Sequence, residues 1–155
     1  MKAQPEEKRP NSPAGNIQVR LAGWSGDQSE IRRIRTLVFI EEQEIPEDEE
    51  FDDADPSAIH VLAHDTNGEA IGTARLLDYK KIGRVAVMRN WRGRGVGKAL
   101  ILFLMQVARE NGAPAVELDA QVYAIPFYEK LGYRVTGEEF MDAGIPHRKM
   151  IIIFS

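Results

Sequence analysis

The 155-residue sequence contains no cysteine. Disulfides, thiolate zinc sites and a cysteine nucleophile are thereby excluded, and the composition suits a reducing compartment. No segment approaches the ~18–20 apolar residues of a membrane span, so no membrane association is expected. A cationic surplus is also missing. The net charge is -4 and the pI about 5.5, which speaks against a nucleic-acid partner. Only three histidines occur. His60 and His64 stand four apart in an extended run, ~13 Å at ~3.3 Å per residue, too far to share one ion, and no metal is expected. Residues 1–15, "MKAQPEEKRPNSPAG", hold three prolines and no apolar run. They read as a disordered tail rather than a signal peptide. The remainder, 16–155, has the size of one domain with one core, expected to be soluble and cytoplasmic.

What is present is orderly. "IQVRL" (17–21) suits a strand. In the following "GDQSEIRRIRTLVFIEEQ", Asp27 and Glu30 have the spacing of a capping box. Ile31, Ile34, Leu37 and Val38 form one apolar stripe, with Arg32, Arg33 and Arg35 expected to face elsewhere. Residues 41–56 carry ten of the 24 acids, leaving 14 against 20 bases elsewhere. This is a mildly basic body with an acidic insert. "AIHVLAH" and "AIGTARLLD" are joined through Asn67-Gly68, a pair that tolerates positive φ and predicts a tight hairpin. "GRVAVM" (83–88) predicts a third strand. "VGKALILFLMQVAREN" (96–111) predicts a helix apolar on most faces and therefore largely buried. "AVELDAQ" (115–121) predicts a strand, "IPFYEKLG" a short helix, and "YRVTGEEF" and "HRKMIIIF" a closing pair of strands. The expected fold is α/β (α+β): a mixed, mostly antiparallel central sheet of about six to seven strands with a parallel pair, and helices on both faces.

"NWRGRGVGKAL" (90–100) sits between a strand and a helix. A Walker A loop fails here, because position 92 is Arg and position 99 is Ala. A dinucleotide G-x-G-x-x-G fails from either starting glycine, ending on Lys98 or Leu100. What remains is R-x-x-G-x-G: Arg92, Gly95, Gly97. Glycines let an anion approach the main chain, and the helix start offers unpaired N–H groups and a favourable dipole. Arg92, Arg94 and Lys98 add charge. The pattern suits a pyrophosphate; on its own it also suits a plain glycine-rich turn.

R-x-x-G-x-G between an apolar strand and a long helix, followed by a strand and "FYEKLGY", resembles the GNAT superfamily of N-acetyltransferases over residues 17–154. "VFIEEQ", "FDDADPSAIHVLA" and "GIPHRKM" are similar to its ElaA-type branch. The resemblance implies acetyl-CoA as cosubstrate. Its pyrophosphate would lie on Arg92, Gly93, Arg94, Gly95, Val96, Gly97 and Lys98, and its pantetheine arm would pair with Val85, Ala86 and Val87. The thioester would enter where that strand splays from 115–121, with Gln121 touching the cofactor or an ordered water.

Three demands of acetyl transfer to an amine then find candidates. Tyr128, in "FYEKLG", matches the family's general acid beside the sulfur, and also binds the cofactor. The Val87 N–H matches its oxyanion donor. For deprotonating the amine, Glu42 at the end of the first helix and His147 in "GIPH" are the candidate bases, histidine being suited to proton transfer near neutral pH. Glu42 and Gln43 are candidate substrate contacts. His60 reads as a hydrogen-bonded core residue. The acidic insert could steer a cationic acceptor, such as a polyamine, aminoglycoside or basic peptide, or simply solvate a loop. The implied activity is direct attack by a primary amine on acetyl-CoA in a ternary complex; the alternative is a CoA-binding regulatory module without turnover. The family also allows a homodimer.

Overall fold

The computed structural model of the protein describes residues 17–155; the tail expected over residues 1–15 lies outside them. The chain runs β1 (Gln18–Ala22), α1 (Trp24–Arg35), a π-helical turn (Thr36–Glu42) and α2 (Glu47–Glu50). Three strands follow, β2 (Ile59–His64), β3 (Ala70–Leu77) and β4 (Lys81–Val87), then α3 (Val96–Glu110). β5 (Ala115–Gln121), α4 (Ile125–Lys130), β6 (Arg134–Val135), β7 (Phe140–Asp142) and β8 (Ile145–Ile153) close the fold. All eight strands form one sheet in the order β1-β2-β3-β4-β5-β8-β6, with β7 also on β8. The expected mixed sheet is present, with β4 and β5 its parallel pair. The expected closing pair is present: β6 and β7 both pair with β8, which also inserts between β5 and β6, so those two are not neighbours.

Strand alternation divides the core. Val61 and Ala63 face α3, packing with Val96, Leu100, Ile101 and Leu104. Leu62, between them, faces α1 with Ile31, Ile34, Val38 and Phe39. Each such Ile or Leu contributes ~1.5–3 kcal/mol by leaving water. The sequence suggested a largely buried α3. Instead Leu102 is 43% exposed, because one face meets the sheet and no other element among the described residues packs on the opposite face. Gly72 permits the close approach at the start of α3: a Cβ there would lie 2.9 Å from Val96 Cγ1 and 3.2 Å from Ala86 O.

Two turns depart from expectation. Asp27 lies inside the first turn of α1, not ahead of it, and its Oδ2 accepts from the Gly23 N–H at 2.9 Å while Glu30 pairs with Arg33. In the β2–β3 hairpin only Gly68 takes positive φ, +84°. The Gly68 N–H donates to Asp65 O at 3.0 Å, and Asp65 Oδ1 accepts from the Asn67 and Glu69 N–H groups. The aspartate side chain, rather than a left-handed asparagine, closes the turn.

Arg35 is the main correction. It is 1% exposed. Its guanidinium donates to Glu50 Oε2 at 2.7 Å and Asp55 Oδ1 at 2.8 Å. Arg75 donates to the same Asp55 oxygen at 2.7 Å and to both oxygens of Asp52. Arg84 completes the cluster, donating to Glu50 O at 3.1 Å. Three carboxylates of the acidic insert therefore pair with three arginines, Glu50 and Asp55 buried and Asp52 at the edge of solvent. The cluster ties α1 to β3 and β4. It also anchors Arg84, whose φ of +51° marks a bulge in β4 where the register against β3 shifts.

Removing one partner of a buried pair strands the other, a cost of ~3–5 kcal/mol. Arg35→Met should lower unfolding stability by about that amount; a denaturant-unfolding difference under ~1 kcal/mol would contradict a fully coupled cluster. Acid should act through Asp52. Hydrogen bonds from Arg75 hold its carboxyl at about 2. Because that lies below the ordinary value of ~3.9, its contribution is complete above ~4 and is lost as pH falls through about 2. Thermal melts of Asp52→Asn should therefore fall below wild type at pH 7 and converge with it near pH 2.

Candidate functional site

β4 and β5 pair over two positions only, Lys81↔Glu117 and Ile82↔Leu118. Beyond them the bulge at Arg84 carries β4 away, while β5 stays fully paired with β8 up to Gln121↔His147. The strands open around a cavity of about 270 Å³. Val85, Gln43, Gln121, Tyr123, Tyr128 and His147 all line it. Chain segments more than a hundred residues apart meet there because β8 returns beside β5.

Val87 stands at the open edge. The Met88 N–H donates to Ile71 O at 2.9 Å, so alternation along an antiparallel pair turns the Val87 N–H and C=O away from β3 and toward the gap. Ala86 is different. Its side chain is buried and its backbone lies opposite Thr73; it spaces Val85 from Val87 and offers the open edge nothing. The glycine loop follows. Gly93 and Gly95 take φ of +76° and +86°, and Gly95 caps α3; side chains there would be strained. Gly97 lies in the first turn, with Phe127 and Val87 in van der Waals range of an added Cβ. The Val96 side chain is buried, so only its backbone faces the loop side. These positive-φ glycines before a helix start form a cradle that suits a pyrophosphate.

The cations of the loop are unequal. Lys98 is exposed. The Arg94 guanidinium lies over the Trp91 ring, 4.9 Å from its centre. Arg92 does not stand free for an anion, as the sequence suggested. Its Nε donates to Val87 O at 2.9 Å, and Nη1 and Nη2 donate to the two oxygens of Glu42, the second at 2.7 Å. Arg89 lies 3.4 Å from the same carboxylate. Hydrogen bonds from Arg92 hold Glu42 below the usual carboxylate range, leaving it a poor proton acceptor.

Gln43 turns instead to the cavity, where its Oε1 accepts from Gln121 Nε2 at 3.0 Å. The π-helical turn separates these two neighbours: the Gln43 N–H reaches back five residues to Val38 O. His147 is 9% exposed and stacks on Phe140. Its Nδ1–H donates to Ile145 O at 2.7 Å, since a carbonyl only accepts, so Nε2 is the ring nitrogen left for another partner. Tyr128 packs edge-on against Phe127 and Tyr133, and burial pushes its phenol up to about 12. His60 is the core residue expected: Nε2–H donates to Asp55 O at 2.8 Å and the ring stacks on Trp24.

Several lining residues escaped the sequence reading, Asp119 and Tyr123 among them. Asp119 pairs with Lys81 at 2.7 Å, and Tyr123 is 76% exposed at the rim. Alternation in "AVELDAQ" places Glu117, Asp119 and Gln121 on one face and would have found the first. Among the described residues, no group of three or more metal-ligating side chains is gathered, and no helix is long and apolar enough to cross a membrane.

The chain is similar to known proteins over most of its length. The family model described as Acetyltransferase (GNAT) domain matches residues 37–154. A Bacillus subtilis protein described as the uncharacterized N-acetyltransferase YjcF is 41% identical over 123 residues, covering 76% of this chain and 86% of that protein. The crystal structure of Escherichia coli ElaA superposes with a TM-score of 0.77 at 26% identity, covering 88% of this chain and 99% of ElaA. A Bacillus anthracis acetyltransferase structure in complex with acetyl coenzyme A gives 0.56 at 26% identity, over 63% of each chain.

The tyrosine environments are directly measurable. Because Tyr128 keeps its proton to about 12, Tyr128→Phe should leave the tyrosinate absorbance gained up to about pH 11 unchanged. A loss of one tyrosine's amplitude in that range would show a phenol far less buried.

Proposed function

The chain belongs to the GNAT acetyltransferase family, and on that premise we propose that it transfers the acetyl group of acetyl-CoA to a primary amine by direct attack in a ternary complex. The observation that carries this is the opening of β4 from β5 after two paired positions. With the Val87 N–H turned away from β3, the opening leaves that edge of β4 without a partner strand, and Val85, Tyr128 and His147 line the cavity that results. Acetyl-CoA supplies the thioester. The backbone of Gly93, Gly95, Val96, Gly97 and Lys98 would hold its pyrophosphate, and Val85 and Val87 would flank its pantetheine arm.

The chain's own groups divide the remaining work. The Val87 N–H donates to the oxygen on which negative charge develops. Tyr128, protonated at neutral pH, supplies the proton that the leaving thiolate takes up. His147 Nε2 accepts the proton of the attacking amine, directly or through water. It is preferred over Glu42, whose carboxylate is occupied by Arg92. Gln43 and Gln121 hold one another's amides in place and orient the acceptor. Glu49 and Asp142 line the cavity outside the arginine cluster, which suits a cationic amine as acceptor. The steering charge is smaller than the ten acids suggest.

Thiol release from acetyl-CoA across a panel of amines tests the reading. Turnover is expected with at least one primary amine, and with a polyamine such as spermidine it should fall as salt rises. A rate equal to that of a neutral amine and independent of salt would remove the steering. CoA binding with no thiol released by any amine would favour a CoA-binding module. Tyr128→Phe should lower kcat by about 10²–10⁴-fold with CoA affinity retained; an unchanged kcat would remove Tyr128 from the mechanism.

A further inference from the structure

We infer that Glu42 is a positioning residue for the donor, acting through Arg92. The inference rests on the reading of residues 93–98 as the pyrophosphate site. One guanidinium joins three separate pieces: Nη1 and Nη2 hold Glu42 at the end of the π-helical turn, and Nε holds Val87 O on the open edge of β4. Its own backbone begins the glycine loop. The fork is bidentate and planar, so it fixes orientation as well as distance. Without it, the two left-handed glycines that follow would let the loop wander relative to the strand.

The electrostatics agree. Arg89, Arg92, Arg94 and Lys98 crowd one end of α3, and Glu42 lies within 3.4 Å of two of them. Its negative charge relieves their mutual repulsion and spends the charge of Arg92 on structure. The anion then meets Arg94, Lys98 and backbone N–H groups. The π-helical turn gives Glu42 its second consequence. It sends Glu42 to the loop and the next residue, Gln43, into the cavity against Gln121. A single backbone feature thus fixes both the donor cradle and the acceptor wall.

A residue that pre-orders the cradle changes donor affinity and leaves the chemical step alone. The test is calorimetric titration with CoA alongside steady-state thiol release, on wild type, E42Q, E42D and the double variant E42Q/R92Q. E42Q should weaken CoA binding and raise the KM for acetyl-CoA by about tenfold, with kcat at saturating donor within about twofold and the acid limb of its pH profile unmoved. E42D, which keeps the charge at shorter reach, should fall between. Adding R92Q to E42Q should weaken binding little further, because the two residues act as one unit. A kcat collapse with CoA binding intact would overturn the inference and make Glu42 the base. A lowered melting temperature with CoA affinity and KM unchanged would also overturn it, leaving a merely structural ion pair. Failure of the wild-type protein to bind CoA would instead overturn the reading of the loop itself, and is read before any variant.

Discussion

The working cleft stands on a cluster of opposite charges. Arg35 comes from α1, Arg75 from β3, Arg84 from the bulge of β4, and Glu50, Asp52 and Asp55 from the segment between α1 and β2. Unpaired, each buried charge would cost several kcal/mol. Together they are satisfied in one arrangement, and that arrangement sets where β4 leaves the sheet. Arg84 is held with positive φ at the point of departure. The opening between β4 and β5 is therefore built into the fold.

A second set of ionic contacts fixes the other end of the same strand. Glu42 and Arg92 join the helix end to the glycine loop and to Val87. Between the two sets, β4 is pinned at Arg84 and at Val87 while its far edge stays open. A strand edge inside a protein is normally paired or covered. The chain belongs to a family of acetyltransferases, and in the proposed function this free edge takes an extended ligand arm. The acidic segment, conspicuous as a charge run, is in good part the counterion of the core.

Local patterns carried much of this. The β5 bounds follow from "AVELDAQ", the start of α3 from "GVGKAL", and the short helix from the proline and glycine bracketing "FYEKL". The R-x-x-G-x-G spacing marked the cradle because positive φ and a helix start are local properties. Arg35 was misjudged for the opposite reason. An arginine beside an apolar stripe reads as solvent-facing until its partners, 15 and 20 residues later, are brought against it. Asp27 was misplaced because a carboxylate can cap from within the first turn as well as from before it.

By itself the sequence determined the class of fold, the glycine loop at the start of α3 and the candidate tyrosine, since each is written in residues close together along the chain. The tertiary structure alone decided which charges are structural and which remain available. It set Glu42 on Arg92 rather than in the cavity, joined Gln43 to Gln121 across the gap, and brought His147 beside them. Those outcomes depend on a bulge, a π-helical turn and the insertion of β8 between β5 and β6. Each is a shift of one residue or one strand that leaves hydrophobic periodicity nearly unchanged, yet redirects every polar group that follows it.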